Sequence, residues 1–284
     1  MKFMMQFVLR FGKRLAVLLP GIFIAYLSVR DIFPYIDRRL PDVISILVTY
    51  MLGAYVLVPA LIRFFRIIFP PNHLPLYCVT PDGFASDPLN VGIIATRREL
   101  INAMERTGWY VADPRTSKNI IRHVLSVVFD WPYKNAPVSS LYLFGRKHDL
   151  AFEIPIKGGA GSRHHVRFWA TTYQEDKHLT VRSIHWHRRG SRVFGDNLLW
   201  VGAASRDIGL APIRHNLQLT HMIHPDTNRE RDIIVSQLRD AGLVKNTHSV
   251  KLDDPYRLAN RALRGYLHTD GIMTVVHLKA GKRL

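Results

Sequence analysis

Two long uncharged stretches near the N terminus set the first part of the chain apart from the rest. One runs from Leu15 to Val29 and the other from Val43 to Ile62, and neither contains a charged residue. As a helix, the second is long enough to cross the roughly 30 Å hydrocarbon core of a bilayer. The first is shorter, but Arg14 and Arg30 at its ends can extend it by reaching toward the headgroups. The pattern predicts a membrane anchor in residues 1–69, a transmembrane helical hairpin with spans at 15–29 and 43–62.

Three other structures are compatible with these stretches. The basic residues before Leu15 would suit a signal peptide, although the segment from Arg30 to Pro34 does not resemble a small-residue cleavage site. A re-entrant or interfacial helix and a pair of buried core helices are the other two. For a hairpin, the lysines and arginines before the first span and after the second favour both termini in the cytoplasm.

The remaining residues, 70–284, have the pattern of a soluble domain that follows a proline-rich linker at Phe69–Pro75. The capping-box patterns Thr96–Glu99 and Thr227–Glu230 each predict the start of a helix, and a third helix is predicted from apolar spacing over 117–129. Short apolar runs typical of strands follow one another between the helices. This order predicts an α+β fold with a mostly antiparallel or mixed sheet and flanking helices.

Charge narrows the kinds of ligand. The chain carries 39 lysines and arginines against 22 aspartates and glutamates, a formal net charge of +17. A surface this basic favours anionic partners, namely phosphates, acidic lipid headgroups or nucleic acid. The single cysteine, Cys78, excludes an internal disulfide framework and a multi-cysteine metal site.

The densest group of reactive side chains lies in the predicted strand 163–169. Alternation along a strand places Arg163, His165, Arg167 and Trp169 on one face. Two guanidinium groups beside an imidazole suit an oxyanion or a phosphate. The alternative is a polar strand face with no ligand.

Three further places could carry chemistry. Asp207 ends an apolar strand and could act as a ligand or base, or simply form an ion pair with Arg206. His221, His224 and Asp226 could form part of a metal site, but Asp226 also suits the N terminus of the helix that follows. The pair His185 and His187 could chelate a metal or lie on a solvated surface. The chain contains no phosphate-binding glycine-rich loop and no zinc-protease motif.

A series of short motifs in one order resembles the LssY C-terminal domain family over roughly residues 70–245. The series is Asp87-Pro88-Leu89-Asn90, Gly108-Trp109, Ala136-Pro137-Val138-Ser139, Leu143-Phe144-Gly145-Arg146, Asp149-Leu150-Ala151-Phe152, His165-Val166-Arg167-Phe168-Trp169, Trp200-Val201-Gly202-Ala203-Ala204 with Asp207, and Thr220-His221 with His224-Pro225-Asp226 and Glu230-Arg231-Asp232. The family is bacterial, and its domain occurs behind membrane spans or joined to lipid-phosphatase-like and DedA-like membrane domains. Met222 stands where many members are expected to have a second histidine.

The predicted spans and their flanking charges, together with this bacterial family, predict a multi-pass protein of the bacterial inner membrane with a cytoplasmic domain. Its function is expected to be the binding of a phosphate-containing ligand or of an envelope or secretion partner. The alternative is a hydrolase of phosphorylated lipids or envelope intermediates. Expected partners are anionic lipid headgroups and a membrane protein, whereas nucleic acid is disfavoured because no recognition motif is present.

The site hypothesis is that the candidate residues converge on one pocket. Its catalytic members would be His165, Asp207 and His221, and its ligand-binding members Arg146, Arg167, His224 and Asp226. Cofactor and metal stay open at this point. Such polar side chains are costly to bury singly, which favours their meeting in one place.

Overall fold

The computed structural model describes residues 19, 22–23, 25–57, 60–61, 75–81, 83–129, 131–156, 162–171, 198–212, 219–259 and 265–279. Its internal contacts divide the chain into two units. The first comprises Met1–Pro70 with Pro81–Phe84, and the second comprises Pro71–Thr80 with Ala85–Leu284.

The described residues of the first unit up to position 61 are mostly helical. A π-helical segment, Ser28–Ile32, leads into helix α1, Phe33–Asp37. Helix α2, Asp42–Leu52, then continues into a second π-helical segment, Gly53–Leu57. No helix built from the described residues combines the length and the apolar character needed to cross a bilayer. Parts of both predicted spans lie outside the described residues, and the hairpin stays a prediction.

The second unit is built on a large sheet in the order β11-β14-β3-β9-β8-β7-β4, with β10 paired to the far half of β9. Strands β14 and β3 run parallel, and the other neighbouring strands of this sheet are antiparallel. The bounds are β3 Val91–Ala95, β4 Tyr110–Val111, β7 Leu150–Pro155, β8 Arg163–Ala170, β9 Leu198–Pro212, β10 Leu219–Ile223, β11 Val244–Lys251 and β14 Ile272–Leu278.

Two smaller sheets accompany it among the described residues. One has the order β2-β1-β5-β6 and the other pairs β12 with β13. Their bounds are β1 Tyr77–Val79, β2 Ala85–Pro88, β5 Tyr142–Leu143, β6 Arg146–Lys147, β12 Tyr256–Ala259 and β13 Tyr266–Thr269. Together with the helices, these sheets confirm the predicted α+β class with a mixed sheet.

Three helices lie in the described part of the second unit: α3, Arg97–Arg106; α4, Ser117–Val128; and α5, Asn228–Asp240. Helix α3 begins with the predicted capping box, in which the Thr96 hydroxyl accepts from the Glu99 N–H at 3.2 Å. The Glu99 carboxylate accepts from the Thr96 N–H at 2.9 Å in return.

The capping box predicted at the start of α5 is wrong. The Thr227 hydroxyl donates instead to the His268 carbonyl at 2.9 Å, and Asp226 Oδ1 accepts from the Asn228 N–H at 3.0 Å. Glu230, the expected reciprocal partner, lies 2.5 Å from the His164 imidazole on β8. The tertiary contact therefore replaces the local pair.

The large sheet is covered on both faces. Phe168 belongs to an apolar core that also contains Leu100 of α3 and Ile234 of α5. Trp169, the next residue, belongs to a second core with Leu143 of the four-stranded sheet. Strands β8 and β9 are therefore sandwiched, and a polar side chain on either face lies in the interior.

Candidate functional site

Three polar residues of β8 lie on the face that the four-stranded sheet covers. Strand alternation gives Arg163, His165 and Arg167 the same side as Trp169, and they are only 3%, 2% and 5% exposed. Charged side chains are rarely buried this deeply unless they are paired. Their partners therefore decide what the site can do.

Carboxylates from three strands pair with the two arginines. Arg163 Nη1 donates to Glu153 Oε2 at 2.6 Å, and Arg163 Nε donates to Asp207 Oδ2 at 3.3 Å. Arg167 Nη1 donates to Asp87 Oδ2 on β2 at 2.9 Å. Because Glu153 lies on β7 and Asp207 on β9, these ion pairs connect three neighbouring strands and join them to the second sheet.

His165 lies at the centre of these groups. Its Nε2 is 2.7 Å from Ser205 Oγ, on the residue directly opposite in the strand register, and 3.4 Å from Asp87 Oδ2. Its Nδ1 is 3.5 Å from Asp207 Oδ1. We call the seven residues the inter-sheet ionic cluster: Asp87, Glu153, Arg163, His165, Arg167, Ser205 and Asp207.

The cluster has one more carboxylate than it has guanidinium groups, so a single added proton makes it neutral. Burial raises the pKa of Glu153 to about 8, and Asp207 adds to this rise while Arg163 opposes it. Burial alone would raise the pKa of Asp87 too. The neighbouring His165 imidazole and the Arg167 guanidinium outweigh it and hold that pKa below its ordinary value. Glu153 is therefore the carboxyl group best placed to hold the proton.

Ser205, His165 and Asp207 follow the order of a nucleophile, a base and an orienting acid. The serine–imidazole distance is within hydrogen-bonding range, whereas the imidazole–carboxylate distance is longer than an ordinary hydrogen bond. Ser205 has 0% exposure and lies inside β9. The arrangement has the groups for acyl or phosphoryl transfer, but they are enclosed.

Arg146, the first of the other predicted ligand-binding residues, has its own partners. It lies on β6, forms an ion pair with Asp149 and donates to the Ala170 carbonyl. Its guanidinium group therefore holds the turn between β6 and β7 against the end of β8, and it is not a member of the cluster.

The histidines and the aspartate beyond β9 follow the strand that pairs with it. His221 lies on β10, opposite Leu210, and its side chain is outside the described residues. The His224 N–H donates to the Arg206 carbonyl at 2.8 Å, and its Nδ1 accepts from the Asp226 N–H at 3.2 Å. Asp226 caps α5, which is the alternative role that the sequence predicted for this residue. His185 and His187 lie outside the described residues.

No three histidine, cysteine, aspartate or glutamate residues in the described part of the chain are grouped so that they could hold a metal ion. The metal site predicted at His221, His224 and Asp226 stays a prediction from the sequence, because the side chain of His221 lies outside the described residues.

Sequence reasoning did not identify three members of the cluster. Asp87 was only part of a motif, and Ser205 followed a run of small residues. Glu153 is the one acid inside the apolar strand predicted over 150–156. Its position could have indicated a buried basic partner, because a charged side chain is rarely buried without one. Its partner Arg163 is ten residues away in sequence and becomes its neighbour only through the β7–β8 pairing.

Three comparisons with known proteins give one match. A search among curated proteins and a search among solved structures each find no match. The family model described as LssY C-terminus matches residues 72–273, which contain the whole inter-sheet ionic cluster. Because this match covers most of the chain, the protein belongs to the LssY C-terminus family.

Proposed function

We propose that this protein is a bacterial inner-membrane protein whose LssY C-terminal domain binds a phosphate-containing ligand at the cytoplasmic membrane face. In this proposal the stretches 15–29 and 43–62 anchor the chain as a hairpin. The domain acts by binding, and the membrane supplies the surface on which it works. An envelope or secretion protein is a further partner.

The observation that carries the proposal is the internal pairing of the two cluster arginines. Arg167 is bonded to Asp87, and Arg163 to Glu153 and Asp207, all of them nearly fully buried. An anionic ligand at these arginines would have to displace a carboxylate that has no access to water. That displacement leaves a buried charge without a partner, at a cost of several kcal/mol.

This pairing supports a structural role for the cluster and moves the ligand to the exterior. Residues 70–284 carry 30 lysines and arginines against 19 aspartates and glutamates, a net charge of +11, and the two cluster arginines are outnumbered by the three cluster carboxylates, so this positive charge comes from outside the cluster. Basic surface residues attract phosphate groups and anionic headgroups without a preformed pocket. We therefore place ligand binding on the exposed basic surface of the domain.

The test is a lipid titration of the full chain in detergent micelles, with bound lipids counted by native mass spectrometry. Phosphatidylglycerol should bind at lower concentration than phosphatidylcholine, and glycerol phosphate should compete if the phosphate group alone is recognised. Competition by glycerol phosphate assigns a soluble ligand, whereas preference for the lipid without competition assigns the headgroup at a membrane. Equal binding of both lipids together with no effect of glycerol phosphate would contradict the proposal.

A hydrolase is the second candidate, and the line from Ser205 through His165 to Asp207 favours it. In that reaction His165 Nε2 would take the proton of Ser205 while Oγ bonds to the phosphorus of the substrate. The bond from phosphorus to the leaving alcohol would break, the imidazolium would pass its proton to that alcohol, and Asp207 would stabilise the imidazolium in between. A fluorophosphonate probe reports this directly, because Oγ displaces fluoride and stays phosphonylated. Labelling of Ser205 that is lost in His165→Gln would establish the hydrolase, whereas an unlabelled Ser205 in the folded protein excludes this mechanism.

A further inference from the structure

Helix α4 turns its apolar side away from the domain. Ile121 is 60% exposed and Val124 is 53% exposed, and Ile120 and Leu125 flank them at 37% and 40%. These four residues lie at spacings of one, four and five, so they form one continuous stripe on the helix. A helix of a globular domain normally buries such a stripe.

The side of α4 that carries His123 and Ser126 faces inward instead, with the exposed Arg122 at its edge. Ser126 is only 3% exposed, and the Arg122 guanidinium lies over the ring of Tyr133 at 4.2 Å. His123 contacts the same ring edge-on, and the Tyr133 hydroxyl donates to Asp113 at 2.6 Å. The inward orientation is thus held by specific contacts, and the outward direction of the apolar stripe follows from it.

Two aromatic rings extend the exposed stripe past the end of the helix. Phe129 and Trp131 are each 56% exposed and stack with their ring centroids 5.1 Å apart. The backbone N–H of Trp131 donates to the Ser126 carbonyl at 2.9 Å, which ties this pair to the last turn of α4. Tryptophan, whose ring carries a polar N–H, is one of the two side chains enriched at bilayer interfaces, and the apolar Phe129 ring packs against it.

Basic residues are frequent in the same segment, and Lys118 lies on α4 itself. Arg115, Lys118 and Lys134 are exposed, and the sequence from 115 to 134 contains a single acid, Asp130. An apolar stripe edged with lysine and arginine is the pattern of a helix that lies in the plane of an anionic membrane. If a second copy of this surface packed against the first, like charges would meet. Packing of the basic N-terminal arm of the chain against this surface would also bring like charges together. Charge therefore favours a lipid surface as the occupant.

We propose that α4 is an interfacial helix that lies in the headgroup region of an anionic bilayer. Ile121, Val124, Phe129 and Trp131 enter the boundary with the acyl chains, while Lys118 and Arg115 contact lipid phosphates. The inference rests on the proposed function in its membrane location, and it adds the element and the side chains that meet the lipid. It needs no ligand at the inter-sheet ionic cluster.

The test measures the depth of α4 in the full chain reconstituted into vesicles of phosphatidylcholine and phosphatidylglycerol. A nitroxide at Ile121→Cys reports through its collisions with oxygen, which is enriched in lipid, and with a nickel chelate, which stays in water. Ser236→Cys, on the exposed side of α5, is the matched control, and the buried Cys78 provides the unlabelled background.

We expect the label at residue 121 to collide frequently with oxygen and rarely with nickel, and the label at residue 236 to show the reverse. Frequent nickel collisions at residue 121 would overturn the inference. Rare collisions with both reagents would overturn it as well and assign the stripe to a protein surface, either a second copy or another segment of this chain.

A charge variant separates this inference from the proposed function. Lys118→Gln should lower the preference for phosphatidylglycerol over phosphatidylcholine about fivefold, the effect of one basic residue near an anionic surface. If phosphatidylglycerol is preferred in the native mass spectra but the label at residue 121 is exposed to water, only the α4 inference fails. If the label at residue 121 lies in lipid but phosphatidylglycerol and phosphatidylcholine bind equally well, only the proposed function fails.

Discussion

Replacing Glu153 by glutamine tests whether the inter-sheet ionic cluster holds a proton. Burial raises the pKa of this carboxyl from 4.5 to about 8. A carboxyl group whose pKa is higher in the folded state than in the unfolded state stabilises the folded protein. This stabilisation is fully present at pH values below the pKa of the unfolded state. The stabilisation is lost as the pH rises toward the folded value, because the unfolded chain releases the proton first. Glutamine is neutral at every pH and cannot show this loss.

The size of the effect follows from the shift. Between pH 5 and pH 8 the free energy of unfolding of the wild type should fall by about 3 kcal/mol relative to Glu153→Gln, since each pKa unit is about 1.4 kcal/mol. For a domain of this size, 1 kcal/mol corresponds to about 2–4 °C in Tm. The Tm of the variant minus that of the wild type should therefore be about 6–12 °C larger at pH 8 than at pH 5.

The assay is thermal unfolding of the full chain, followed by near-ultraviolet circular dichroism at a series of pH values. Glu105→Gln, on the exposed side of α3, is the control for loss of a glutamate, and its difference from wild type should not vary in this way. A Tm difference for Glu153→Gln that stays constant between pH 5 and pH 8 would refute the reasoning. It would mean that Glu153 is ionised throughout and fully compensated by Arg163.

Three further changes have defined outcomes in the same unfolding assay. Arg167→Gln should destabilise the domain by about 3–5 kcal/mol, because it leaves the Asp87 carboxylate buried without its guanidinium partner. Adding Asp87→Asn to this variant should recover part of the loss. Additive effects of the two substitutions on the free energy of unfolding would contradict this pairing. Gly202→Ala should cost about 1–3 kcal/mol, because a Cβ would lie 2.6 Å from the Phe168 ring, and an unchanged Tm would contradict this packing. Thr96→Ala should cost about 1 kcal/mol through loss of the α3 cap, and Thr96→Ser should retain most of that stability.

Local sequence patterns predicted the parts of this fold that local contacts determine. The Thr96 capping box formed as predicted, and alternation along β8 gave the correct shared face for Arg163, His165 and Arg167. The order of short motifs was enough to identify the family, because membership of a family is recognised from the sequence and needs no long-range contacts.

Long-range partners could not be predicted in this way. Asp87 meets Arg167 only because two separate sheets pack together, and no sequence spacing encodes that contact. At α5, the interaction of Glu230 with His164 overrode a capping pattern that was locally complete. For α4, apolar spacing predicted a helix but gave no information about which side would face the domain.

The most direct test of the central claim compares phosphatidylglycerol binding by the wild type and by His165→Gln. The account predicts that the folded variant binds the lipid with an affinity within about twofold of the wild type, because the ligand lies outside the inter-sheet ionic cluster. A loss of about tenfold or more, equivalent to about 1.4 kcal/mol, in a variant with unchanged circular dichroism would place the ligand at the cluster and contradict the account.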